Sequence, residues 1–513
     1  MKTDKGKVWL VGAGPGDRAL FTLKGLEVLS KADVVVYDSL VGSSILCMIP
    51  PQAEAINVGK RASHHTMPQE EINRLLLKKA LEGKKVVRLK GGDPFLFGRG
   101  GEELELLRNN QIPYEVVPGI TSPISVPAYN GIPVTHRDFT SSLHIITGHR
   151  KALSQKKGSD SSDGPEFEPL SIPFRALTET GGTLVFLMGV TALPAICEGL
   201  LSAGMDPAMP AAILQKGTTA RQKKIVATIS TLPEEVKRQG VDTPAIIVVG
   251  RVVALSDRFS WFNELPLSAS RILVTRPREL VSTLCEKLRA LGAEVLEIPS
   301  TELVPIPENK ALEEAFRNIG DYRWIAFTSP SGVRIFFQEM QERKIDIRSL
   351  SHLHFAVLGE GTRNALEEHG ILADLMPEIY DGASLGKALA EKMAAGERLL
   401  LPRAEIGSKE ILDALSRHPV TDLPLYRTES RTQDILPLSS MFAAGEIDCA
   451  AFTSSSGVKA FLAAYPELDA QKVNAVCIGK QTADTAEKAG MKVSVSEKAT
   501  IDSLLQKIIE CCQ

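Results

Sequence analysis

The segment VGAGPGD, residues 11–17, follows the apolar run KVWL and precedes a helical pattern. An acidic residue, Asp38, closes the next apolar run, ADVVVYD. A glycine turn after a strand, with an acid further along, is typical of a dinucleotide site. That site needs G-x-G-x-x-G, whereas Asp17 stands in place of the third glycine and Pro15 removes a backbone N–H. A carboxylate there opposes a pyrophosphate, so the segment is either a tight turn with Asp17 as N-cap or part of a site for another ligand.

A second glycine cluster, RLKGGDPFLFGRGGEE (88–103), also follows an apolar run and places Gly91 and Gly92 before Asp93. Two glycine-rich strand ends indicate a ligand held against backbone at the carboxyl edge of a sheet. Asp38 and Asp93 favour a ligand that carries positive charge or ribose hydroxyls over one that carries phosphates. The sulfonium cofactor S-adenosylmethionine has that chemistry, and a nicotinamide cofactor is the alternative.

The composition bounds the class of protein. The 513 residues exceed one hydrophobic core, and 43% apolar and 24% charged residues are ordinary for a globular chain. A net charge of −3 argues against a nucleic-acid partner bound through bulk charge. The seven cysteines have no CxxC pair and no cysteine–histidine metal spacing, which predicts reduced thiols and no metal. The N-terminus lacks a signal-peptide pattern and no run reaches 18 apolar residues, so we expect a cytoplasmic protein with no membrane partner.

Short β-branched runs alternate with amphipathic stretches along the whole chain, which predicts α/β domains with largely parallel sheets. The polar stretch 151–169 is expected to be a surface loop. The stretch 256–270, between a finished strand and a new one, is expected to be a linker between two halves.

The second half contains an internal repeat. FTSPSGVR (327–334) recurs as FTSSSGVK (452–459), and VLGEGTRNALEEHG (357–370) recurs as CIGKQTADTAEKAG (477–490). In each copy a strand ends in hydroxyl residues and a glycine follows at the start of a helix. The repeat predicts two similar α/β lobes that face each other across a cleft.

The motifs of the first half also resemble a known family. GKVWLVGAGPGD, VVVYDSLV, VGKRASHHTMPQEEIN, RLKGGDPFLFGRGGEE, VVPGITS and QKGTTARQ, between residue 6 and about 254, resemble the uroporphyrinogen-III C-methyltransferases among the tetrapyrrole methylases. In the second half RILVTRPRE, FTSPSGVR, LGEGT, LPRAEIGSKEIL, LYRT and FTSSSGVK, across 271–513, resemble uroporphyrinogen-III synthase.

The resemblance implies a fold and a domain order. A two-lobed α/β tetrapyrrole methylase domain (1–255) precedes the linker and a two-lobed α/β synthase domain (271–513) with internal duplication. Lobe one of the synthase takes 271–303 plus 430–513, and lobe two takes 304–429. The methyltransferase family also implies a homodimer through that domain.

The resemblance further implies a bifunctional enzyme. The synthase half would cyclise hydroxymethylbilane to uroporphyrinogen III, and the methyltransferase half would methylate that product twice with S-adenosylmethionine to precorrin-2, for sirohaem or cobalamin synthesis. The alternative is a methyltransferase for another tetrapyrrole with a non-catalytic C-terminal binding domain.

Residue roles carry over to the methyltransferase half. Asp38 is the expected proton acceptor and Lys60 the expected proton donor; the alternatives are an acid bonded to loop amides and a lysine bound to a substrate carboxylate. The expected cofactor contacts are Pro15, Gly91, Gly92, Asp93, Leu96, Thr121, Ser122, Met188 and Gly217. The expected contacts to substrate carboxylates are Arg61, His64, His65, Arg99 and Arg137.

In the synthase half, Tyr426 of LYRT is the expected proton donor to the leaving hydroxyl, and a structural tyrosine is the alternative. Serine and threonine hydroxyls and helix N-terminal amides suit carboxylates of the substrate. The expected substrate contacts are Thr275, Arg276, Ser329, Ser331, Thr362, Thr453, Ser454 and Thr482.

Overall fold

A computed structural model of the chain describes residues 5–59, 67–148, 170–275, 282–298, 301–407, 409–430 and 435–512. Within those ranges the strands form four five-stranded sheets with helices packed on them. The predicted α/β class is confirmed. None of the helices in the described ranges has the length and apolar character needed to cross a membrane.

The first sheet has the strand order β3-β2-β4-β1-β5, and all of its pairings are parallel. Its strands are β1 Lys7–Gly12, β2 Val34–Tyr37, β3 Glu54–Asn57, β4 Lys85–Lys90 and β5 Tyr114–Val117. Its helices are α1 Leu23–Ser30, α2 Ser43–Leu46, α3 Gln69–Leu81, α4 Gly100–Asn109 and α5 Ser122–Tyr129. Helices on both faces bury the strands, which explains the nearly continuous apolar runs of β1 and β2.

The second sheet has the order β6-β7-β10-β8-β9. Its strands are β6 Leu143–Thr147, β7 Thr183–Leu187, β8 Pro210–Gln215, β9 Lys223–Thr228 and β10 Ala245–Val249. Its helices are α6 Phe174–Glu179, α7 Leu193–Ser202 and α8 Leu232–Gln239. The expectation of a largely parallel sheet is wrong here, because β6–β7 is parallel whereas the β7–β10, β10–β8 and β8–β9 pairings are antiparallel. The short β8–β9 connection forms a hairpin, which only antiparallel strands can make.

The second half of the chain builds the other two sheets. Its strands are β11 Arg271–Val274, β12 Glu294–Glu297, β13 Thr301–Pro305, β14 Trp324–Phe327, β15 His354–Val357, β16 Leu399–Ala404, β17 Val420–Ser430, β18 Cys449–Phe452, β19 Asn474–Cys477 and β20 Lys492–Val495. Its helices are α9 Ser282–Ala290, α10 Lys310–Arg317, α11 Pro330–Glu342, α12 Glu360–Glu367, α13 Gly382–Lys392, α14 Glu410–Ala414, α15 Leu438–Ala443, α16 Ser455–Ala464, α17 Lys480–Lys488 and α18 Ile501–Cys512. The sheet orders are β12-β11-β18-β19-β20 and β13-β17-β16-β14-β15.

The internal duplication is confirmed in the local structure. β14–α11 and β18–α16 carry the FTS repeat, and in each copy a serine caps the helix: Ser329 Oγ accepts from the N–H of Gly332 at 3.0 Å, and Ser454 Oγ accepts from the N–H of Gly457 at 3.1 Å. β15–α12 and β19–α17 carry the second repeated segment, and each strand pairs in parallel with the strand of the first. The two lobes therefore reuse one strand–helix unit.

The described chain divides into two compact units, and the division does not follow the two halves of the sequence. Unit one contains 5–275, 282–298 and 435–512, and unit two contains 301–407 and 409–430. Within unit one, apolar residues of the first half and of the sheet around β11 form one buried cluster, which includes Val35, Ile45, Leu296 and Phe452. The methylase-like region and one synthase-like lobe thus share a core.

The stretch 256–270 packs within unit one. Phe262 is buried, and its ring lies 4.9 Å from the ring of Tyr129, which also contacts Trp261 at 5.0 Å. Leu267 is fully buried in the cluster that contains Ile272. The predicted linker is therefore a packed connection.

Candidate functional site

The parallel first sheet brings the predicted cofactor residues of the first half to one edge. Because β1, β2, β4 and β5 are parallel, the residues that follow them meet at the carboxyl edge of the sheet. The two glycine loops bond to each other there: the N–H of Gly14 donates to the carbonyl of Gly92 at 3.1 Å, and the N–H of Gly92 donates to that of Gly14 at 2.8 Å. Pro15 and Gly91 lie directly beside this bridge.

The backbone at this edge fits a ligand that needs close approach. Gly92 has φ +67°, and a Cβ added to it would meet no protein atom within 4 Å, so its backbone faces open space. Gly12 is different, since a Cβ there would lie 2.5 Å from the Cα of Gly119. Gly12 therefore closes the packing of the loops, and Gly92 leaves room for a ligand against its backbone.

Asp93 holds the loops together. Its Oδ1 accepts from the N–H groups of Phe95 and Leu96 at 2.8 and 3.2 Å, and its Oδ2 accepts from the N–H of Gly119 at 3.0 Å. A carboxylate oxygen has two lone pairs, so these bonds leave acceptor capacity for a ribose hydroxyl. Thr121 stands at the N-cap of α5 and makes no capping bond with its side chain, and Ser122 begins that helix.

Met188 and Gly217 follow β7 and β8, which point the same way because each is antiparallel to β10. The loop after β8 joins the first glycine loop across the two lobes of the first half, since Thr218 Oγ1 accepts from the N–H of Asp17 at 3.1 Å. Asp17 also caps the turn that follows it, accepting from Ala19 N–H at 2.8 Å. Asp17 is thus an N-cap, and Met188, half exposed, is not a core residue.

Backbone strain concentrates in these loops. Among the described residues, eight other than glycine have positive φ, and five of them lie in the loops after β4, β7 and β8: Phe97, Arg99, Met188, Lys216 and Thr218. Such conformations cost about 1–3 kcal/mol each and cluster at ligand sites. The strain is an independent sign of function at this edge.

Asp38 lies at the same edge and is 24% exposed. Its Oδ2 accepts from Nη2 of Arg88 at 3.2 Å, and its Oδ1 accepts from the N–H of Leu40 at 3.1 Å. Arg88, almost fully buried, is itself fixed, because its Nη1 donates to the carbonyl of Leu89 at 3.1 Å and its Nε to Glu103 at 3.2 Å. The carboxylate therefore has a fixed orientation and an open side.

A buried charge cluster supports Arg88. Oε1 of Glu103, which is fully buried, accepts from Arg88, from Lys90 Nζ at 2.8 Å and from Gln69 Nε2 at 3.1 Å. Within the described ranges its Oε2 has no hydrogen-bond partner. Burial and the neighbouring Arg88 lower the pKa of Lys90, against the opposing effect of Glu103. The sequence did not lead us to predict this cluster, because RLKGGDPFLFGRGGEE was interpreted through its glycines and Asp93. The charged residues that interrupt the apolar strand KVVRLK were the feature that could have indicated buried charges.

The other predicted residues of the first half divide into two groups. Arg99 is exposed and forms an ion pair with Glu102 at 2.6 Å, and Arg137 is exposed. The remaining predictions lie outside the described residues: Lys60, Arg61, His64 and His65, together with Arg276 of the second half and the expected loop 151–169.

In unit two, Tyr426 and Ser329 form a pair of hydroxyls. Tyr426 is buried, and its OH lies 3.0 Å from Oγ of Ser329, at the start of α11. Burial raises the pKa of Tyr426, against the hydrogen bond from Ser329. The phenol therefore stays protonated at neutral pH and can donate a proton.

The other predicted hydroxyls differ in exposure. Thr275, Ser331, Thr362 and Thr482 are buried, and Thr275 Oγ1 has no hydrogen-bond partner among the described residues. Thr453 is half-buried and Ser454 is exposed. Ser329, Thr453 and Ser454 are therefore the hydroxyl residues of this group with exposed surface.

Comparison with protein families matches residues 7–233 to the Tetrapyrrole (Corrin/Porphyrin) Methylases and residues 282–506 to Uroporphyrinogen-III synthase HemD. A relative named Porphyrin biosynthesis protein HemD, from Ruminiclostridium josui, is 47% identical over 509 residues, which is 99% of this chain and 98% of that protein. The chain is a tetrapyrrole methylase joined to a uroporphyrinogen-III synthase. Its two parts are called the methyltransferase half and the synthase half below, and together they make a bifunctional enzyme of tetrapyrrole biosynthesis.

Two further similarities are to proteins named as methyltransferases. Uroporphyrinogen-III C-methyltransferase of Bacillus subtilis (strain 168) is 42% identical over 367 residues, 72% of each chain. A crystal structure of uroporphyrin-III C-methyl transferase from Thermus thermophilus, complexed with S-adenyl homocysteine, is 38% identical and covers 49% of this chain and 100% of its own, with a TM-score of 0.40.

Proposed function

We propose that the synthase half cyclises hydroxymethylbilane to uroporphyrinogen III and that the methyltransferase half methylates this product twice to precorrin-2, for sirohaem or cobalamin synthesis. The observation that carries the proposal is the edge of the first sheet, where the Gly14–Gly92 bridge, an open backbone and the Arg88-held Asp38 lie together. Two glycine loops without a phosphate-binding pattern suit a sulfonium cofactor.

S-adenosylmethionine, when bound, supplies an activated methyl group, so positioning accounts for much of the rate. In this proposal the backbones of Pro15, Gly91 and Gly92, with Met188 and Gly217 from the other lobe, hold the cofactor. Methylation of a pyrrole carbon leaves a proton to be removed, and Asp38 accepts it. Arg88 holds the Asp38 carboxylate in a fixed orientation, and the other side of that carboxylate stays accessible.

In the synthase half, Tyr426 donates its proton as the hydroxyl of hydroxymethylbilane leaves as water. Ser329, 3.0 Å away, keeps the phenol oriented. The N–H groups at the start of α11, in the same unit, bind a carboxylate of the substrate, since the N-terminus of a helix favours anions.

The test is a coupled assay on the full chain with hydroxymethylbilane and S-adenosylmethionine and no other synthase. Precorrin-2 should form. Asp38→Asn should stop at uroporphyrinogen III, and Tyr426→Phe should form precorrin-2 slowly from hydroxymethylbilane but at the wild-type rate when uroporphyrinogen III is added. If the wild-type chain methylates uroporphyrinogen III but leaves hydroxymethylbilane unconverted, the synthase half is a binding domain. If it binds NAD(H) and not S-adenosylhomocysteine, the methyltransferase assignment fails.

Two properties complete the proposal: the enzyme is cytoplasmic, and it forms a homodimer through the methyltransferase half. Light scattering on the full chain tests the second point. A monomeric full chain would refute it.

A further inference from the structure

The first glycine loop is tied to the synthase half. Arg18 directly follows Asp17 of VGAGPGD, and its Nη1 lies 2.6 Å from Oε1 of Glu297, the last residue of β12. Arg289 of α9 bonds to the same oxygen. Burial would raise the pKa of Glu297, but the bonds from Arg18 and Arg289 outweigh it and lower that pKa. Glu297 is therefore an anion held between the two halves.

The loop after β8 is tied to the same strand. Oε2 of Glu294, the first residue of β12, accepts from the N–H of Ala220 at 3.0 Å and lies 3.2 Å from Nε of Arg271. Ala220 is two residues beyond Thr218, whose hydroxyl accepts from the N–H of Asp17. One strand of the synthase half thus contacts both loops, and the loops contact each other.

Two further contacts stiffen this arrangement. The hydroxyl of Ser44, in α2, donates to the carbonyl of Gly16 at 3.0 Å, and α2 packs against β12. Arg221, next to Ala220, donates through Nη2 to both carboxylate oxygens of Asp448 at 3.1 Å. Ser44 thus links the first glycine loop to a helix that packs on the synthase half, and Arg221 links the loop after β8 to Asp448 of the synthase half.

We propose that Glu294 and Glu297 are positioning residues for S-adenosylmethionine binding: the synthase half holds both cofactor loops in their binding conformation. The inference rests on the proposed function, since it assigns those loops to the cofactor. Coupling between sites is reciprocal, so binding of the cofactor also stabilises β12. Neither glutamate touches the reacting atoms, and their effect falls on affinity.

The experiment titrates full-length protein with S-adenosylhomocysteine by calorimetry. The variants are Glu297→Gln, Glu294→Gln and the double substitution. The control is Glu115→Gln, which removes ion pairs to Lys7 and Lys24 inside the methyltransferase half, away from the loops. We expect Kd to rise about fivefold to tenfold in each single variant and further in the double one, with Glu115→Gln unchanged. The KM for S-adenosylmethionine should rise in parallel while kcat at saturating cofactor stays within twofold.

Hydrogen exchange on the wild-type chain gives a second readout that needs no variant. Amides of β12 should exchange about fivefold to tenfold more slowly when S-adenosylhomocysteine is bound. Unchanged Kd in Glu297→Gln together with unchanged exchange in β12 would overturn the inference, and so would a fall in kcat with unchanged KM. If the wild-type chain itself fails to bind S-adenosylhomocysteine, the proposed function fails instead.

Discussion

Glu103→Gln isolates the buried charge cluster under the second glycine loop. The substitution keeps the size of the side chain and removes the carboxylate whose Oε1 lies 2.8 Å from Lys90 Nζ. Arg88 keeps Asp38 as a partner, whereas the buried Lys90 loses the carboxylate that bonds to it and keeps only the weaker influence of the Asp38 charge. Breaking a buried ion pair by removing one partner costs about 3–5 kcal/mol.

Lys90 limits that cost and gives it a pH dependence. Its pKa is already lowered by burial and by Arg88, so in the variant the amine can lose its proton. We therefore expect the lower end of the range, about 3 kcal/mol at pH 7. A lysine has a pKa of about 10.4 in the unfolded chain, so above the lowered folded value the unfolded state binds a proton that the folded state lacks. The stability of the variant must then rise with pH up to about 10.

Hydrogen exchange of the amides in β4 and α4 measures this locally. A loss of about 3 kcal/mol corresponds to roughly 150-fold faster exchange where opening is limiting. The control is Glu102→Gln, the neighbouring exposed acid, whose ion pair with Arg99 is screened by solvent, so its removal should leave exchange unchanged. Two results would refute the reasoning. One is exchange in Glu103→Gln within twofold of the wild type, and the other is a loss of stability, relative to the wild type, that does not become smaller between pH 7 and 9.

Three further predictions follow from the described contacts. Arg88→Met should lower the methylation rate by about 10²-fold, because the Asp38 carboxylate is no longer held in a fixed orientation. The affinity for S-adenosylhomocysteine should be unchanged, and substitution of the exposed Arg108 by Met should have no effect. Equal methylation rates in the two variants would contradict the positioning role of Arg88. Tyr426→Phe should lower the cyclisation rate by about 10–10²-fold. The control is Tyr322→Phe, which alters a buried tyrosine of the same unit whose OH lies 3.2 Å from Oγ1 of Thr421, and this variant should cyclise at the wild-type rate. Equal losses of rate would mean that both tyrosines are structural. The folded pKa of Glu297 is lowered from 4.5, so its contribution to stability is present above pH 4.5 and is lost as pH falls through the folded value. Chemical denaturation should therefore show Glu297→Gln to be about 1 kcal/mol less stable than the wild type at pH 7. This difference should vanish in acid, and a difference that grows in acid would contradict the prediction.

Local patterns carried much of the fold and of the proposed cofactor edge. The apolar runs KVWLVG, ADVVVYD and KKVVRLKGG became β1, β2 and β4, and the FTS repeat became two serine-capped helices. The strands were predictable because burial on both faces of the sheet requires continuous apolar runs, although their pairing partners are distant in sequence. The caps were predictable because the serine and the N–H that it accepts from are three residues apart.

The contacts between distant segments left no such signal. The linker 256–270 is polar at several positions, yet Phe262 is buried against Tyr129, and no local pattern announces its partner. Thr362 and Thr482 matched the pattern of substrate hydroxyls but are buried, because the third residue of each repeated helix turns inward. The chain order of the two halves also concealed their shared core, which joins residues such as Ile45 and Phe452.

The shared core bears on how the chain is made. β11 pairs with β18, so Ile272 cannot pair with Cys449 until the ribosome has synthesised almost two hundred further residues. During that interval unit two can complete its own sheet, while the lobe around β11 lacks its central neighbour. Helix α2 packs on β12, and its buried Ile45 belongs to a cluster that also contains Phe452 of β18. That cluster is incomplete until the C-terminal segment has been synthesised. The methyltransferase half, although first in the sequence, is therefore expected to reach its final packing last.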